Sequence, residues 1–307
     1  DAKPISIILF EEIDLTYSRA MNSYMDFPHF KKTKVKMQKS FKDPGNPLNI
    51  YYHLDNEGTI TLHDNKVHDV KYVVKDVHGN TSELDFQVQN SASYQPTVNR
   101  LRGQSLFKYN QENSFENNDI QVAMPKGILF DNLDFDYSLG QQAASGYSKI
   151  HHVHNDMTPL LGSYKLRIKA EQLPAHLQSK ALIASTKNGA EGGTYENGWV
   201  QVNTRNLGSF YIAVDTIAPT ITARNFSNGK SLAGQKRVDF TIGDNFSGIQ
   251  SFDGYIDGKW VLLEYDPKNR HIWHVFDKNL SAGSHTLRIV IKDWKDNEKS
   301  YEAKFTK

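Results

Sequence analysis

The sequence predicts an all-β protein built from three tandem β-sandwich modules, of which the first and third are homologous. Two observations support this class: apolar and polar residues alternate in many short runs, and one hairpin sequence occurs twice. The copies are HDVKYVVKDVHGNTSELDFQV (68–88) and HTLRIVIKDWKDNEKSYEAKF (285–305). At a constant offset (285 − 68 = 217) the identical pairs are His68/His285, Val73/Val290, Lys75/Lys292, Asp76/Asp293 and Asn80/Asn297. Two copies so far apart indicate related modules that flank a different one.

The first module spans residues 1–90 and is predicted to be an immunoglobulin-like sandwich. A short helix is expected over LTYSRAMNSYMDF, with Thr16 as its cap and its end before Pro28. The repeated hairpin closes the module. The other predicted strands are ISIILF, VKMQKSF, LNIYYHL and TITL.

The polar segment QNSASYQP marks the boundary to the middle module, residues 91–213. This module shares no repeat with its neighbours, and its short alternating runs predict a distinct sandwich. The third module, residues 214–307, is the second immunoglobulin-like sandwich. It opens at DTIAPTI, where Pro219 is expected to begin the first strand after a short stiff linker. Asp257 and Gly258 in YIDGKW predict a tight hairpin turn.

Composition excludes several classes of protein. Lys plus Arg number 36 against 35 Asp plus Glu, so a formal net charge of +1 predicts no nucleic-acid partner. Without cysteine the chain has no disulfide, cysteine nucleophile or thiolate metal site. No apolar run reaches the roughly 18 to 20 residues of a membrane span. The chain begins at Asp1 without methionine or a signal-peptide pattern, which indicates a processed protein or a fragment.

Two motifs are candidates for metal binding. His152 and His154 form an H-x-H pair that, on a strand, would present both imidazoles on one face for zinc. The alternative is a polar turn, because further zinc ligands are not evident nearby. Asp244 in DNFSGI is a candidate calcium ligand, since carboxylate and carbonyl oxygens converge in such loops. The same residues are also common turn formers.

Other polar and aromatic residues suggest weaker links to function. The aspartates of LDFDYS, Asp134 and Asp136, are expected to be solvated rather than catalytic. Trp260 and Trp294 are candidates for a ligand surface that stacks on sugars, with core packing as the alternative. Trp294 lies in a predicted turn and is expected to be exposed. Nucleophile-elbow, P-loop, dinucleotide-binding and H-E-x-x-H motifs are absent, so this chain itself is predicted not to be catalytic.

A set of segments carries a family resemblance over nearly the whole chain. In order they are FKDPGN, GTITLHDNKVHDVKYVVKDVHGNTS, MPKGILFDNLDFDYS, HNDMTPL, LPAHLQSKALI, YENGWV, DTIAPTI, DNFSGI and YIDGKWVLLEYD. They resemble the β-domain region that follows the catalytic domain in secreted lysostaphin-type (LytM-like, murein endopeptidase) zinc metallopeptidases of Gram-negative bacteria. The resemblance implies a secreted or periplasmic location at the bacterial cell envelope.

In that family, zinc is held by an H-x-x-x-D type motif, commonly H-x-G-x-D, and by the last histidine of an H-x-H, in a domain upstream of the β-modules. This chain has no H-x-G-x-D, and His152 and His154 fall in the segment that resembles the middle accessory module. The resemblance therefore implies a non-catalytic accessory region that positions or regulates its own upstream catalytic domain. Zinc is expected in that domain, and no cofactor is expected in this chain.

Peptidoglycan or a cell-surface glycan is the expected further partner. Two alternatives stay open at this point. One is a stand-alone surface adhesion or glycan-binding protein made of tandem immunoglobulin-like modules. The other is a zinc hydrolase that acts through His152 and His154.

Overall fold

A computed structural model describes residues 3–90, 105–277 and 280–307 and confirms the all-β class. The chain divides into two compact units that interleave in sequence. The first unit comprises Asp1–Gln111, Lys126–Asp136 and Met157–Leu161, and the second comprises Glu112–Pro125, Tyr137–Asp156 and Gly162–Lys307. The module boundary predicted at residues 90 and 91 falls next to residues 91–104, which lie outside the described residues.

The elements follow the chain in alternating short strands and turns. The first group is β1 (Ser6–Ile8), a 3₁₀ helix (Leu15–Ala20), α1 (Met21–Tyr24), α2 (Phe27–Thr33), β2 (Tyr51–Leu54), a 3₁₀ turn (Asn56–Gly58), β3 (Val67–Lys75), β4 (Thr81–Gln89), β5 (Ser105–Phe107), β6 (Asn113–Glu116), β7 (Ile120–Met124) and β8 (Leu133–Phe135). In the part of the chain that is described, no helix has both the length and the apolar character needed to span a membrane.

The second group completes the two sandwiches. It consists of β9 (Tyr137–Gln142), β10 (Lys149–Val153), β11 (Tyr164–Lys169), a 3₁₀ helix (Ala175–Lys180), β12 (Ala181–Ser185), β13 (Gly189–Gly192), β14 (Thr194–Glu196), β15 (Trp199–Thr204), β16 (Gly208–Val214), β17 (Thr220–Ala223), β18 (Lys230–Ser231), β19 (Arg237–Gly243), β20 (Ile249–Ile256), β21 (Lys259–Val261), β22 (Glu264–Asp266), β23 (His271–Val275), β24 (Ser284–Asp293) and β25 (Glu298–Thr306).

The first unit is held together by a small core and three strand pairs. β1 pairs with β2, β3 with β4, and β5 with β8, each as a two-stranded antiparallel sheet. The buried core residues are Ala20, Tyr24, Leu48, Ile50 and Phe130. Phe107 and Phe135 stack with their ring centroids 4.3 Å apart. The described strands of residues 3–90 are thus paired more sparsely than those of the two regions that follow.

The helical segment of the first unit differs from its prediction. Asp14, rather than Thr16, is the N-cap, because its Oδ1 accepts the Thr16 backbone N–H at 2.8 Å. A carboxylate is the stronger acceptor of the two side chains. The predicted end before Pro28 is confirmed, because α1 ends at Tyr24 and the chain is extended at Met25. A separate helix that the sequence did not predict, α2, begins at Phe27 and includes Pro28. Proline is tolerated there because the first turn of a helix needs no backbone N–H from that residue.

Two predicted strands of the first module are wrong. Residues 35–41 and 59–62 are described but form no strand, apart from one isolated bridge between Met25 and Gln38. Val35 is 56% exposed and Met37 is 51% exposed. Val35 and Met37 alternate with lysine, but they do not pack on a core. A half-buried strand is stable only if one of its faces packs on a core.

The repeated hairpin has the same register in both copies, which supports its duplication. The corresponding pairs are His68–Val88 with His285–Phe305, and Lys75–Thr81 with Lys292–Glu298. A slip of one residue would exchange the two faces of a strand, so equal register is a specific match. The surroundings differ, because Val74 is 66% exposed whereas its counterpart Ile291 is fully buried.

The second unit contains the two sandwiches. The middle one has sheets β13-β12-β16-β10-β9 and β14-β15-β11-β7-β6, and the third has β17-β19-β23-β22 and β18-β25-β24-β20-β21. The third core is formed by apolar residues of both its sheets, including Phe240, Ile242, Ile272, Ile289 and Ile291. The predicted turn is confirmed, because Asp257 and Gly258 join β20 to β21 with φ values of 51° and 78°. The third module is a two-sheet sandwich of the immunoglobulin-like kind.

Candidate functional site

Three aspartates from three separate loops come together where the third sandwich meets the middle sandwich. Asp215 precedes β17, Asp244 follows β19, and Asp293 ends β24. One carboxylate oxygen of each lies within 4.8 Å of those of the other two. Asp215 is 2% exposed and Asp293 is fully buried. We call these three residues the carboxylate joint.

Asp293 is anchored by the turn of the repeated hairpin. Its Oδ1 accepts the backbone N–H groups of Lys295 at 2.7 Å and Asn297 at 2.9 Å. Its Oδ2 accepts the Asn297 side-chain amide at 2.7 Å. Asp76 binds Asn80 in the same way in the first hairpin, at 2.9 Å from the backbone N–H and 2.7 Å from the side-chain amide. Both copies of the hairpin therefore have the same turn geometry. Only Asp293 is described with two further aspartates, Asp215 and Asp244, beside it.

Asp215 connects the linker to the other two loops. Its Oδ1 accepts the Ile217 N–H at 3.1 Å, and its Oδ2 accepts the Ser247 N–H at 2.9 Å. Its carbonyl oxygen accepts the Asn297 side-chain amide at 3.0 Å. The first residue of DTIAPTI is thus bonded to both remaining loops of the joint, which restrains the linker that the sequence predicted to be stiff.

Asp244 supplies the oxygen of the joint that has no hydrogen bond. Its Oδ2 accepts the N–H groups of Phe246 at 2.9 Å and Gly248 at 2.8 Å. Gly248 has a φ of +87°, which closes this turn with little strain. Oδ1 of Asp244 and Oγ of Ser247 are buried and have no hydrogen-bond partner among the described residues. Buried polar atoms are rarely left in this state.

Two lysines near the joint bond to carbonyl oxygens. Lys295 is 5% exposed, and its Nζ donates to Gly193 O at 2.5 Å in the middle sandwich. Lys180 Nζ donates to Lys295 O at 2.5 Å. Burial lowers the pKa of Lys295, while nearby carboxylates, Asp296 foremost, act in the opposite direction. Within the described residues, none of the three joint carboxylates forms an ion pair with a basic side chain.

An apolar contact lies beside these polar groups. Phe246, between Asp244 and Gly248, packs against Leu182, Ala184 and Ala213 of the middle sandwich. The loop of the third sandwich that carries Asp244 therefore also covers an apolar patch of its neighbour. Hydrogen bonds and apolar packing together fix the contact between the two sandwiches.

The H-x-H histidines have other surroundings. His152 lies on β10, and its Nδ1 is 2.7 Å from Ser209 Oγ. His154 lies beyond the end of that strand, has a φ of +54°, and its Nε2 is 3.1 Å from Asn155 Nδ2. Strand alternation therefore does not apply to the pair. Among the described residues, the group of three that could hold a metal ion is the carboxylate joint, which includes Asp244 and neither histidine.

The neighbouring His151 is a core residue that sequence reasoning passed over. It is 1% exposed, and its Nδ1 is 2.9 Å from Tyr137 Oη. Burial lowers the pKa of His151 to about 4, with smaller electrostatic contributions from nearby charged groups. The imidazole is therefore neutral at pH 7 and serves the packing of the middle sandwich.

The tryptophan candidates are both at the surface. Trp294 is 60% exposed, which confirms its expected exposure, and Trp260 is 59% exposed. Trp260 Nε1 donates to Asp253 Oδ1 at 3.3 Å. Of the paired aspartates, Asp136 is exposed and Asp134 is partly buried. Ligand binding by the two tryptophans stays a prediction.

Comparison with known proteins gives limited information beyond the fold. A family model described as a Zu5-like domain matches residues 104–215, a little over a third of the chain. No curated protein matches the sequence. Among solved structures, the fibronectin(III)-like modules of CbhA from Clostridium thermocellum are similar, with 10% identity, a TM-score of 0.24, and coverage of 46% of this chain and 84% of theirs. Neither comparison assigns a site.

Sequence reasoning found one of the three joint residues. Asp244 was a candidate, whereas Asp215 was part of the predicted linker DTIAPTI and Asp293 was one of the identities shared by the two hairpin copies. The signal that links them is topological, because each aspartate adjoins a strand end of the third sandwich: before β17, after β19 and at the end of β24. That relation emerges only when the strand order is known.

Proposed function

We propose that this chain is the non-catalytic accessory region of a secreted murein zinc metallopeptidase, and that it positions or regulates the catalytic domain upstream of it at the bacterial cell envelope. The observation that carries the proposal is the ordered resemblance of motifs along nearly the whole chain. Two of these motifs, DTIAPTI and DNFSGI, supply Asp215 and Asp244 of the carboxylate joint.

The structure supports a positioning role in a specific way. Tandem modules joined by a flexible linker would hold a neighbouring domain at no fixed orientation, because relative motion is the default when few contacts cross a boundary. Here Asn297, Lys295 and Phe246 connect the third sandwich to the middle sandwich or its linker. Such a joint suits an accessory region whose middle and third sandwiches keep a fixed relation to each other.

Donor chemistry supports the assignment of zinc to the upstream domain. Catalytic zinc sites are usually built from histidine with a carboxylate or cysteine. The joint offers only carboxylate oxygens, and His152 and His154 bond to Ser209 and Asn155. In the proposed parent, we expect the zinc-holding motifs to precede residue 1.

The direct test is the coding sequence upstream of Asp1 together with the activity of the encoded parent. We expect an H-x-x-x-D and an H-x-H motif there, and hydrolysis of purified peptidoglycan by the parent. Deletion of residues 1–307 from the parent is expected to change the rate or product pattern. A parent without the zinc motifs, or one whose hydrolysis is the same after deletion, would refute the proposal.

A stand-alone glycan-binding or adhesion protein is the second candidate, and the exposure of Trp260 and Trp294 favours it. Exposed tryptophan faces stack on sugar rings, since both surfaces are apolar. The test is retention of the chain on insoluble peptidoglycan, compared with Trp260→Ala and Trp294→Ala. Retention that both variants reduce supports this function, and absence of retention refutes it.

A further inference from the structure

We propose that the carboxylate joint binds one calcium ion, and that this ion ties the third sandwich to the linker that enters it from the middle sandwich. The site consists of Asp215, Asp244 and Asp293, with Ser247 as an additional neutral oxygen on the same loop. The inference does not depend on the proposed peptidase context.

Burial is the first step of the argument. Aspartates are seldom buried unless they are paired or coordinate a metal. Asp215 and Asp293 are 2% and 0% exposed, and their carboxylate oxygens lie within 4.8 Å of each other and of Asp244. No described basic side chain forms an ion pair with them. The charge of the buried Lys295 acts on Asp215 and Asp293 from a distance, but its ammonium group donates to Gly193 O instead.

The second observation is a pair of buried, unpartnered oxygens on the Asp244 loop, although Asp244 and Ser247 are partly buried as whole residues. Six backbone N–H groups bond to the three carboxylates, from residues 217, 246, 247, 248, 295 and 297. They hold four of the other oxygens in place, and the Asn297 side-chain amide holds Asp293 Oδ2, yet Asp244 Oδ1 is buried without a donor. A bound cation would be its missing partner. Ser247 Oγ, also buried and unpartnered, lies on the loop that donates to Asp215.

Donor type and spacing select the ion. Carboxylate and hydroxyl oxygens are hard ligands that favour calcium or magnesium over zinc. Calcium–oxygen distances of about 2.3–2.6 Å allow two ligands on opposite sides of the ion to lie about 4.6–5.2 Å apart. The joint fits that span, because one carboxylate oxygen from each of the three residues lies within 4.8 Å of the other two. Calcium also tolerates irregular geometry, whereas magnesium requires a near-ideal octahedron at about 2.0–2.1 Å.

The origin of the ligands defines what the ion does. Asp215 belongs to the linker, Asp244 to the loop whose Phe246 packs on the middle sandwich, and Asp293 to the turn that precedes Lys295. An ion shared by all three connects the linker to two segments through which the third sandwich contacts the middle one. We therefore expect calcium to stiffen this contact and to raise the stability of the second unit.

The test is calorimetric titration of the whole EDTA-treated chain with calcium chloride, alongside Asp244→Asn. We expect one site per chain with a dissociation constant on the order of 10⁻⁴ M, as in extracellular calcium modules. Asp244→Asn keeps one side-chain oxygen to accept the Phe246 and Gly248 N–H groups, so the loop is retained. Loss of ligand charge should weaken binding about tenfold or more, while circular dichroism stays unchanged.

Asp76→Asn is the matched control, because one carboxylate oxygen of the exposed Asp76 accepts the His78 and Asn80 backbone N–H groups, as Asp244 Oδ2 accepts those of Phe246 and Gly248. Its calcium affinity should equal that of the unmodified chain. The site is refuted if the unmodified chain shows no calcium binding by heat or by thermal shift. It is also refuted if Asp244→Asn binds calcium as tightly as the unmodified chain, or if Asp76→Asn loses as much calcium affinity as Asp244→Asn. Magnesium chloride binding with equal affinity would overturn the assignment to calcium.

Discussion

Replacement of Asp293 by alanine tests how the joint stabilises the second unit. The change removes the acceptor of the Lys295 and Asn297 backbone N–H groups, at 2.7 and 2.9 Å, at a position where Asp293 is fully buried. The Asn297 side chain keeps its bond to Asp215 O. Two buried donors left without a partner cost about 1–3 kcal/mol each, so we expect a loss of about 2–6 kcal/mol in the free energy of unfolding.

Urea unfolding followed by tryptophan fluorescence measures this loss in the relevant unit. All four tryptophans, at positions 199, 260, 273 and 294, lie in the second unit, so the signal excludes the first unit. EDTA in every sample removes any contribution from bound metal. Asp76→Ala makes the equivalent change in the exposed hairpin of the first unit and should leave this transition in place. A midpoint for Asp293→Ala equal to that of the unmodified chain would show that the reasoning is wrong.

Three further outcomes are expected. Folding lowers the pKa of His151 from 6.5 to about 4, so the unfolded chain binds a proton at this residue more readily than the folded chain does. The free energy of unfolding of the second unit should therefore fall by up to about 3 kcal/mol as the pH decreases from 6.5 to 4. This dependence on pH should be weaker in His151→Gln. His285 donates to Asp257 and to a backbone carbonyl, which raises the pKa of His285, while this bond lowers the pKa of Asp257. The stabilisation that this pair provides should be complete between about pH 3.8 and 6.5 and should decrease above and below that range. Thermal melts at a series of pH values measure it, and Asp257→Asn should lack this dependence on pH. A Cβ at Gly45 would lie 2.6 Å from Leu129 O, so Gly45→Ala should lower the melting temperature of the first unit, and an unchanged melt by circular dichroism would contradict this.

The sequence predicted the elements whose pattern is local. The duplicated hairpin and the Asp257–Gly258 turn were found because strand alternation and left-handed turn residues are visible over a few positions. The strand predicted over residues 35–41 failed for a physical reason. Alternation indicates a strand only if one face is buried, and Val35 and Met37 are exposed.

The candidate site required the fold. Asp215, Asp244 and Asp293 are spread over 79 positions, and each has an ordinary local role as a turn or linker residue. Asp293 and Asp76 are indistinguishable in their own hairpins. The difference between them is burial against the other two loops, which is a property of tertiary packing.

Metal content is the measurement that tests the account most directly. The purified chain, residues 1–307, is brought to equilibrium by dialysis against buffer that contains calcium and a lower concentration of zinc, and is analysed for both elements. The account predicts one calcium per chain and no tightly held zinc, with stoichiometric zinc only in the parent that includes the upstream domain. One zinc per chain in residues 1–307, reduced by replacement of His152 or His154, would contradict it.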